Sequence, residues 1–546
     1  MTDAQHADSI FHGATIVTVD AARPEAEALA VKGGRILAVG DRAAVDAHAG
    51  PGTEIIDVGG KTLLPGFVEA HGHLLWSGMV HGDPVVDIRA MTVPTFDAVL
   101  AKIRRRVGKA TAGEFLFFFG LDAQLHAGMR ALTRQELDAI CPDLPIAVQT
   151  SNCHAVFANS KALAAAGITP ETPQPSAGVI GKDAEGNLTG RLEESAALVM
   201  CQAFYDHGGD ERTRREFQNW IWKYARAGIT SATELLFQPY HLPFYETAIA
   251  APDFPLRVRA YQVTNGDRTT VHAPGARDGD FAVVGIKIIA DGSPFVGNIW
   301  LTRPYLSTEV TVNGMGLADG HTGHMSYDVD ELTALIEDYV ALGWQMTVHT
   351  QGDRTVDVVL DAYERALAKH PRDDHRFRLE HCATMRADQI ERANGLGVVS
   401  SFFLAHLYYW GQALRDHMLG PARTADYMPV GMAARSGMRM SFHSDAPMTE
   451  PNPLLSMQIG VTRQHQSGDV LGPDQRVDVD TAIRAVTLDA AYQIFLDDEV
   501  GSLEVGKEAD IVVLDRDPRA VPPDEIAAIA VEATYKSGRR AWSAVE

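Results

Sequence analysis

Four segments of the chain share one grammar: a helical stretch, a glycine near its end, then a short apolar strand. They are NWIWKYARAGITSATE (219–234), LIEDYVALGWQMTVHT (335–350), IERANGLGVVSSFF (390–403) and GMAARSGMRMSFHSD (431–445). Glycine closing a helix ahead of an apolar or β-branched run is the α-to-β junction of a parallel α/β fold. Strand-like runs at 62–70 (TLLPGFVEA), 255–263 (PLRVRAYQV), 283–290 (VVGIKIIA) and 375–381 (HRFRLEH) bring the count to eight. Eight strands alternating with helices predict a (β/α)8 TIM barrel.

The ends of these strands carry the chemistry. His71 and His73 end the first, Lys287 belongs to the fourth, and His349, His381 and Asp445 close the fifth, sixth and eighth. In a barrel the loops after parallel strands converge on one mouth, whereas ligands on five different strands of an open doubly wound sheet do not meet. Alternate residues of a strand share a face, so His71 and His73 point together into the barrel. Several nitrogen and oxygen ligands with room for a further one describe a catalytic divalent site. Lys287 is the odd member, because an ammonium between Ile286 and Ile288 meets a large desolvation cost. Either it pairs with Asp291 or another carboxylate, or its amine reacts with carbon dioxide to give an anionic carbamate that bridges two metals.

A chain of 546 residues exceeds one bare barrel. The β-rich ends, 1–61 and 497–546, are expected to pair into one small β-sandwich around the barrel segments 62–80 and 206–496. Residues 81–205 separate the first strand from the second by far more than a βα connection and read as an inserted α+β subdomain over the site. Asp plus Glu total 71 against 48 Lys plus Arg, a net charge of −23, which argues against a nucleic-acid partner. No segment has the apolar length of a membrane span, and MTDAQHADSI has no signal-peptide character, so a cytoplasmic protein is expected. The partner expected is a small-molecule substrate, and a homodimer is left open. The four cysteines show no paired spacing, and Cys382, beside His381, reads as a small buried residue rather than a nucleophile.

The motifs LLPGFVEAHGHL, IKIIADGS, VHTQGD, RLEHC and GSLEVGKEADIVVLD resemble those of the amidohydrolase superfamily. HAVFANSKALAAAGI, GNLTGRLEE and SDAPMTEPNPLLSMQIGVTRQ are similar to its amidohydrolase 3 branch, which includes N-substituted formamide deformylase-like proteins. The resemblance implies a one- or two-metal centre, often zinc, with Lys287 as the carboxylated bridge. Two departures stand out: Glu69 where an Asp is usual, and His443 where a Gly is common.

A divalent ion acidifies bound water and polarises the scissile carbonyl, so hydroxide attacks without a protein nucleophile. Asp445 is the expected proton shuttle to the leaving nitrogen. His154, in the insertion, either reaches the site to meet substrate or its developing oxyanion, or has a structural role there. Trp76, His406 and Trp410 are the candidate substrate contacts, within a run that also holds Phe402, Phe403, Tyr408 and Tyr409; core packing is the alternative for the aromatics. Arg303 and Arg463 are candidates for binding a carboxylate. The leading reading is hydrolysis of a linear amide or N-substituted formamide. A cyclic amide, carbamate or ester hydrolase, or an aminoheterocycle deaminase, uses the same centre. A non-catalytic regulator on this scaffold is disfavoured because no ligand position is lost.

Overall fold

The computed structural model describes residues 6–545 apart from 91, 176–177, 265–267, 276 and 278. Its centre is a parallel eight-stranded sheet: β1 (Phe67–Glu69), β2 (Ile229–Phe237), β3 (Arg257–Val263), β4 (Phe281–Ile289), β5 (Gln345–Thr350), β6 (Arg378–His381), β7 (Val399–Phe402) and β8 (Met440–Phe442). Each strand pairs with the next in sequence order, as expected for a TIM barrel. Between β8 and β1 the wall is clasped by a side chain: the Glu69 carboxylate accepts from the Ser444 backbone N–H at 3.1 Å and from its hydroxyl at 2.6 Å.

The four glycines of the repeated grammar, Gly228, Gly343, Gly397 and Gly437, all have φ between 74° and 95°. That left-handed conformation turns the chain from helix to strand and is strained for a residue with a Cβ. At Gly228 a side chain is also excluded by space, since its Cβ would lie 2.6 Å from Val512 and 2.9 Å from the Phe67 ring.

Strands from both ends of the chain form one eight-stranded sheet. They meet where Thr62–Pro65 pairs antiparallel with Ile511–Leu514. Phe11, Leu29, Leu63, Leu503 and Ile511 lie in its apolar cluster. The run expected as a single strand over 62–70 therefore divides at Gly66: its first half joins the terminal sheet and its second half becomes β1. Thr230 approaches so closely that any Cβ at Gly66 would lie 2.4 Å from its hydroxyl.

The insertion holds a six-stranded mixed sheet covered on both faces. Its strand Leu116–Leu121 shows why LFFFGL carries no polar alternation. Phe117 and Phe119 enter one apolar cluster, while Leu116 and Phe118 enter the opposite one. Among the described residues no helix is long and apolar enough to cross a membrane.

Candidate metal centre

The barrel mouth gathers the residues that the strand ends pointed to. Asp445 Oδ1 lies 3.3 Å from His71 Nε2 and 3.2 Å from His73 Nε2. Its other oxygen is 3.8 Å from His381 Nδ1. The His381 ring is 4.6 Å from that of His71 and 4.4 Å from that of His349, centre to centre. His381 and Asp445 have φ of 69° and 50°, a conformation non-glycine residues seldom adopt and one that recurs at functional sites.

The orientation of His71 is set from below. Its Nδ1 meets Glu380 Oε2 at 2.5 Å, which leaves Nε2 facing Asp445. Glu380 in turn accepts from Arg378 at 2.8 and 3.1 Å and from the Thr347 hydroxyl at 3.1 Å. Arg378 also donates to the Ala70 carbonyl at 2.7 Å, reaching the turn after β1 that carries His71. Burial alone would favour a protonated Glu380, but Arg378 and then His71 outweigh it and hold the carboxyl well below its usual range. Sequence reasoning missed both residues. The only signal was alternation in RLEH, which puts Arg378 and Glu380 on one face.

Lys287 Nζ is buried and has no hydrogen-bond partner among the described residues. Burial pulls its pKa down to about 8. Asp291, one of the carboxylates considered for it, accepts instead from the backbone N–H groups of Gln351 at 3.0 Å and Gly352 at 2.8 Å. His73 Nδ1 and His381 Nδ1 are likewise buried without a hydrogen-bond partner among the described residues. Unsatisfied buried polar atoms cost about 1–3 kcal/mol each, so this donor set fits a cation.

His443 also approaches His71 and His381 closely enough for their ligand atoms to lie within 4.8 Å of one another. Its ring, however, stacks on His71 at 4.4 Å with only 20° between the planes. Imidazole lone pairs lie in the ring plane, and two near-parallel rings do not direct them at a common ion. His71 and His73, at 90° to each other, meet no such obstacle. His443 is packed between His71 and Phe403.

The remaining candidates differ in how near they lie to this cluster. His154 from the insertion lies 6.1 Å from His349, ring to ring, and its Nδ1 is 3.0 Å from Glu194. Burial opposes its charge, but Glu194 raises its pKa overall. His349 Nε2 is 2.8 Å from the Gly292 carbonyl. Trp76 packs 5.8 Å from His73. His406 and Trp410 are buried against Phe295, and Trp410 donates to Asp122 at 2.7 Å. Arg463 is fully buried and donates to the carbonyls of Tyr427, Met428 and Leu471, so it ties the fold rather than a substrate carboxylate. Cys382 is buried and its thiol is pushed up by desolvation, which makes it a poor nucleophile.

A parallel barrel with histidines and an aspartate converging at its mouth has the architecture of a barrel hydrolase. The amidohydrolase family model matches residues 54–541. Over 543 residues the chain is 31% identical to the N-substituted formamide deformylase of Arthrobacter pascens, covering 98% of each. It superposes on an uncharacterized metal-dependent hydrolase from Pyrococcus horikoshii with a TM-score of 0.71 at 22% identity, over 94% of this chain and 99% of that one. A zinc-bound adenosine deaminase from Xanthomonas campestris superposes at a TM-score of 0.51 and 14% identity, over 98% and 93% of the two chains. The chain belongs to the amidohydrolase family and is a hydrolase of carbon–nitrogen bonds.

Proposed function

We propose that this protein hydrolyses an amide with a small acyl group, an N-substituted formamide foremost, at a divalent metal centre formed by His71, His73, Lys287, His349, His381 and Asp445. The observation that carries the reading is the buried donor set around Asp445, with Oδ1 3.3 and 3.2 Å from two imidazole nitrogens. The similarity to a formamide deformylase along 98% of both chains supports the substrate class. A divalent ion, zinc in the first instance, would acidify water and polarise the carbonyl there. Lys287 joins this set as its carbamate. Burial lowers the pKa of its amine to about 8, so the neutral nucleophilic form that reaction with carbon dioxide needs is more accessible than in an exposed lysine.

Asp445 takes the proton released as water adds to the carbonyl carbon, then delivers it to the leaving nitrogen. An amine departs poorly unless protonated, so the same carboxylate serves as base and then acid. His154, held by Glu194 with its ring 6.1 Å from that of His349, would donate to the carbonyl oxygen as charge builds there. Trp76, His406 and Trp410 shape the approach and keep water away from the substrate's apolar part.

Asp445→Asn is the deciding variant. At matched metal content, turnover of the formamide should fall by about 10²–10⁴, and turnover of an activated formate ester by clearly less, because a good leaving group needs little protonation. Equal losses on both substrates would remove the leaving-group role. A wild-type protein carrying metal yet inert toward N-substituted formamides would overturn the substrate assignment.

A further inference from the structure

The helix Leu74–His81 begins immediately after the second histidine of the mouth, so His73 occupies its N-cap position. A cap residue normally uses its side chain to accept from the first free backbone N–H groups of the helix, which is why Ser, Thr, Asp and Asn prevail there. His73 makes no such bond. Its Nε2 lies 3.2 Å from Asp445 Oδ1 instead, and its Nδ1 is buried without a hydrogen-bond partner among the described residues. A ring turned to the mouth is lost as a cap, so the helix needs its acceptor from elsewhere.

Glu234 on β2 is that acceptor. Its Oε2 lies 3.0 Å from the backbone N–H of Leu75, the second residue of the helix and one of the positions a cap side chain serves. The same oxygen accepts from the Tyr245 hydroxyl at 2.5 Å, and Oε1 accepts from the Leu236 N–H at 2.9 Å. Burial and then the Glu234 charge push the Tyr245 hydroxyl well above its usual range, so the tyrosine stays the donor. Glu234 is itself buried and its three donors are neutral, which leaves the positive end of the helix as a source of favourable field for the carboxylate. Its neighbours on β2 hold the turn that precedes the helix. The Thr233 hydroxyl accepts from the Gly72 N–H at 3.1 Å, and the Gly72 carbonyl accepts from the Leu235 N–H at 3.0 Å. The His73 N–H donates to the Ala446 carbonyl at 3.0 Å, which joins this turn to the loop of Asp445.

We propose that Glu234 is a positioning residue of the metal centre: it caps the helix in place of His73 and thereby leaves the His73 ring fixed and free to bind the ion. The inference rests on the metal reading above and extends it to a residue outside the ligand set.

The test uses the full-length protein stripped of metal and reloaded with zinc or with cobalt(II). Glu234→Gln keeps the shape and one carbonyl oxygen but removes the charge. Zinc affinity, read by competition with a chromophoric chelator, should fall about 10–100-fold, the scale for residues that orient a metal ligand. The visible bands of the cobalt protein should shift as well, because a displaced imidazole alters the ligand field. Gly78→Ala is the structural control: it strains the same helix beyond its first turn, where a Cβ would lie 2.8 Å from Phe217 Cα. It should lower the melting temperature yet keep the zinc affinity and the cobalt spectrum.

Wild-type affinity and spectrum in Glu234→Gln overturn the proposal. So does a loss of zinc affinity in Gly78→Ala as large as that in Glu234→Gln, since loosening of the helix would then be enough. If Glu234→Gln does not fold, Tyr245→Phe decides, because it removes one donor from the same oxygen without touching the helix. It should weaken zinc binding several-fold and move the cobalt bands, and no change in either overturns the proposal. A wild type that binds neither ion defeats the metal reading and this inference with it, whereas wild-type binding with unaltered variants defeats the role of Glu234 alone.

Discussion

At the residue scale, Glu380 controls which nitrogen of His71 is offered to the mouth, and Arg378 controls Glu380. Both side chains are fully buried, so neither charge has water to fall back on. Glu380→Gln keeps the shape but removes the charge. If His71 holds a divalent ion as proposed, this change should weaken the binding of added zinc by about 10–100-fold, the usual effect of losing a carboxylate behind a metal-binding histidine. Glu380→Ala should also lower stability by about 3–5 kcal/mol, because Arg378 is left as an uncompensated buried cation. Chelator competition on the metal-free protein and thermal unfolding separate the two effects, and an unaltered zinc affinity in Glu380→Gln would remove the positioning role. Lys287 is tested by its carbon rather than by activity. Protein prepared with ¹³C-bicarbonate should show one carbamate resonance, absent from Lys287→Ala, and its absence from the wild type would leave the amine unmodified.

At the scale of elements, the helix Leu74–His81 that follows β1 is locked to the long helix Ser195–Arg226, which is interrupted at Gly209. Gly78 allows the close approach, since a Cβ there would lie 2.8 Å from Phe217 Cα. Gly78→Ala should therefore destabilise the protein by about 1–3 kcal/mol. At the helix end His81 stacks flat on Trp220 at 4.9 Å, and its Nε2 is 2.9 Å from the Pro447 carbonyl. Burial lowers its pKa from 6.5 to about 4. A base whose folded pKa lies below the unfolded one favours the fold above the unfolded value and loses that contribution as pH falls through the folded value. Stability should thus decline between about pH 6.5 and about pH 4, by up to about 3 kcal/mol from this group. His81→Gln does not titrate, so its melting temperature should depend less on pH over this window. Identical pH profiles for the two proteins would exclude His81 as the cause.

At the scale of the whole molecule, the C-terminal end of the chain is tied to the barrel by buried charge as well as packed into the terminal sheet. Arg257 on β3 pairs with Asp510, with Glu508 at 3.1 Å and with the Ser537 hydroxyl at 2.6 Å, all from the C-terminal segment. Lys536 reaches back to Asp280 at 2.6 Å and to the Leu256 carbonyl at 2.9 Å. Arg257→Ala should cost about 3–5 kcal/mol, mostly from the buried Asp510 carboxylate left without its cation. Adding Asp510→Asn should recover part of that loss. A double variant no more stable than Arg257→Ala would show that packing, not charge, holds this junction.

Local pattern determined much of this protein from the sequence alone. Helix-then-strand periodicity and the glycines before the strands specified the barrel, because a positive φ at a helix end is a local requirement that glycine meets. His71 and His73 lie just beyond the first strand, which ends at Glu69, and this position at the end of a strand, like that of His349, His381 and Asp445, drew them to the same mouth. What local pattern does not carry is which side chains become neighbours across strands. The division at Gly66, the Glu380–His71 contact and the Glu234 cap on the helix after His73 all depend on register and long-range packing. So does the reading of single charges. Arg463 passes in the sequence for a substrate clamp, and only the fold surrounds it with backbone carbonyls. Lys287 sits among apolar neighbours in sequence, and only the tertiary structure decides that no partner reaches its amine among the described residues, because partners come from strands distant in the chain.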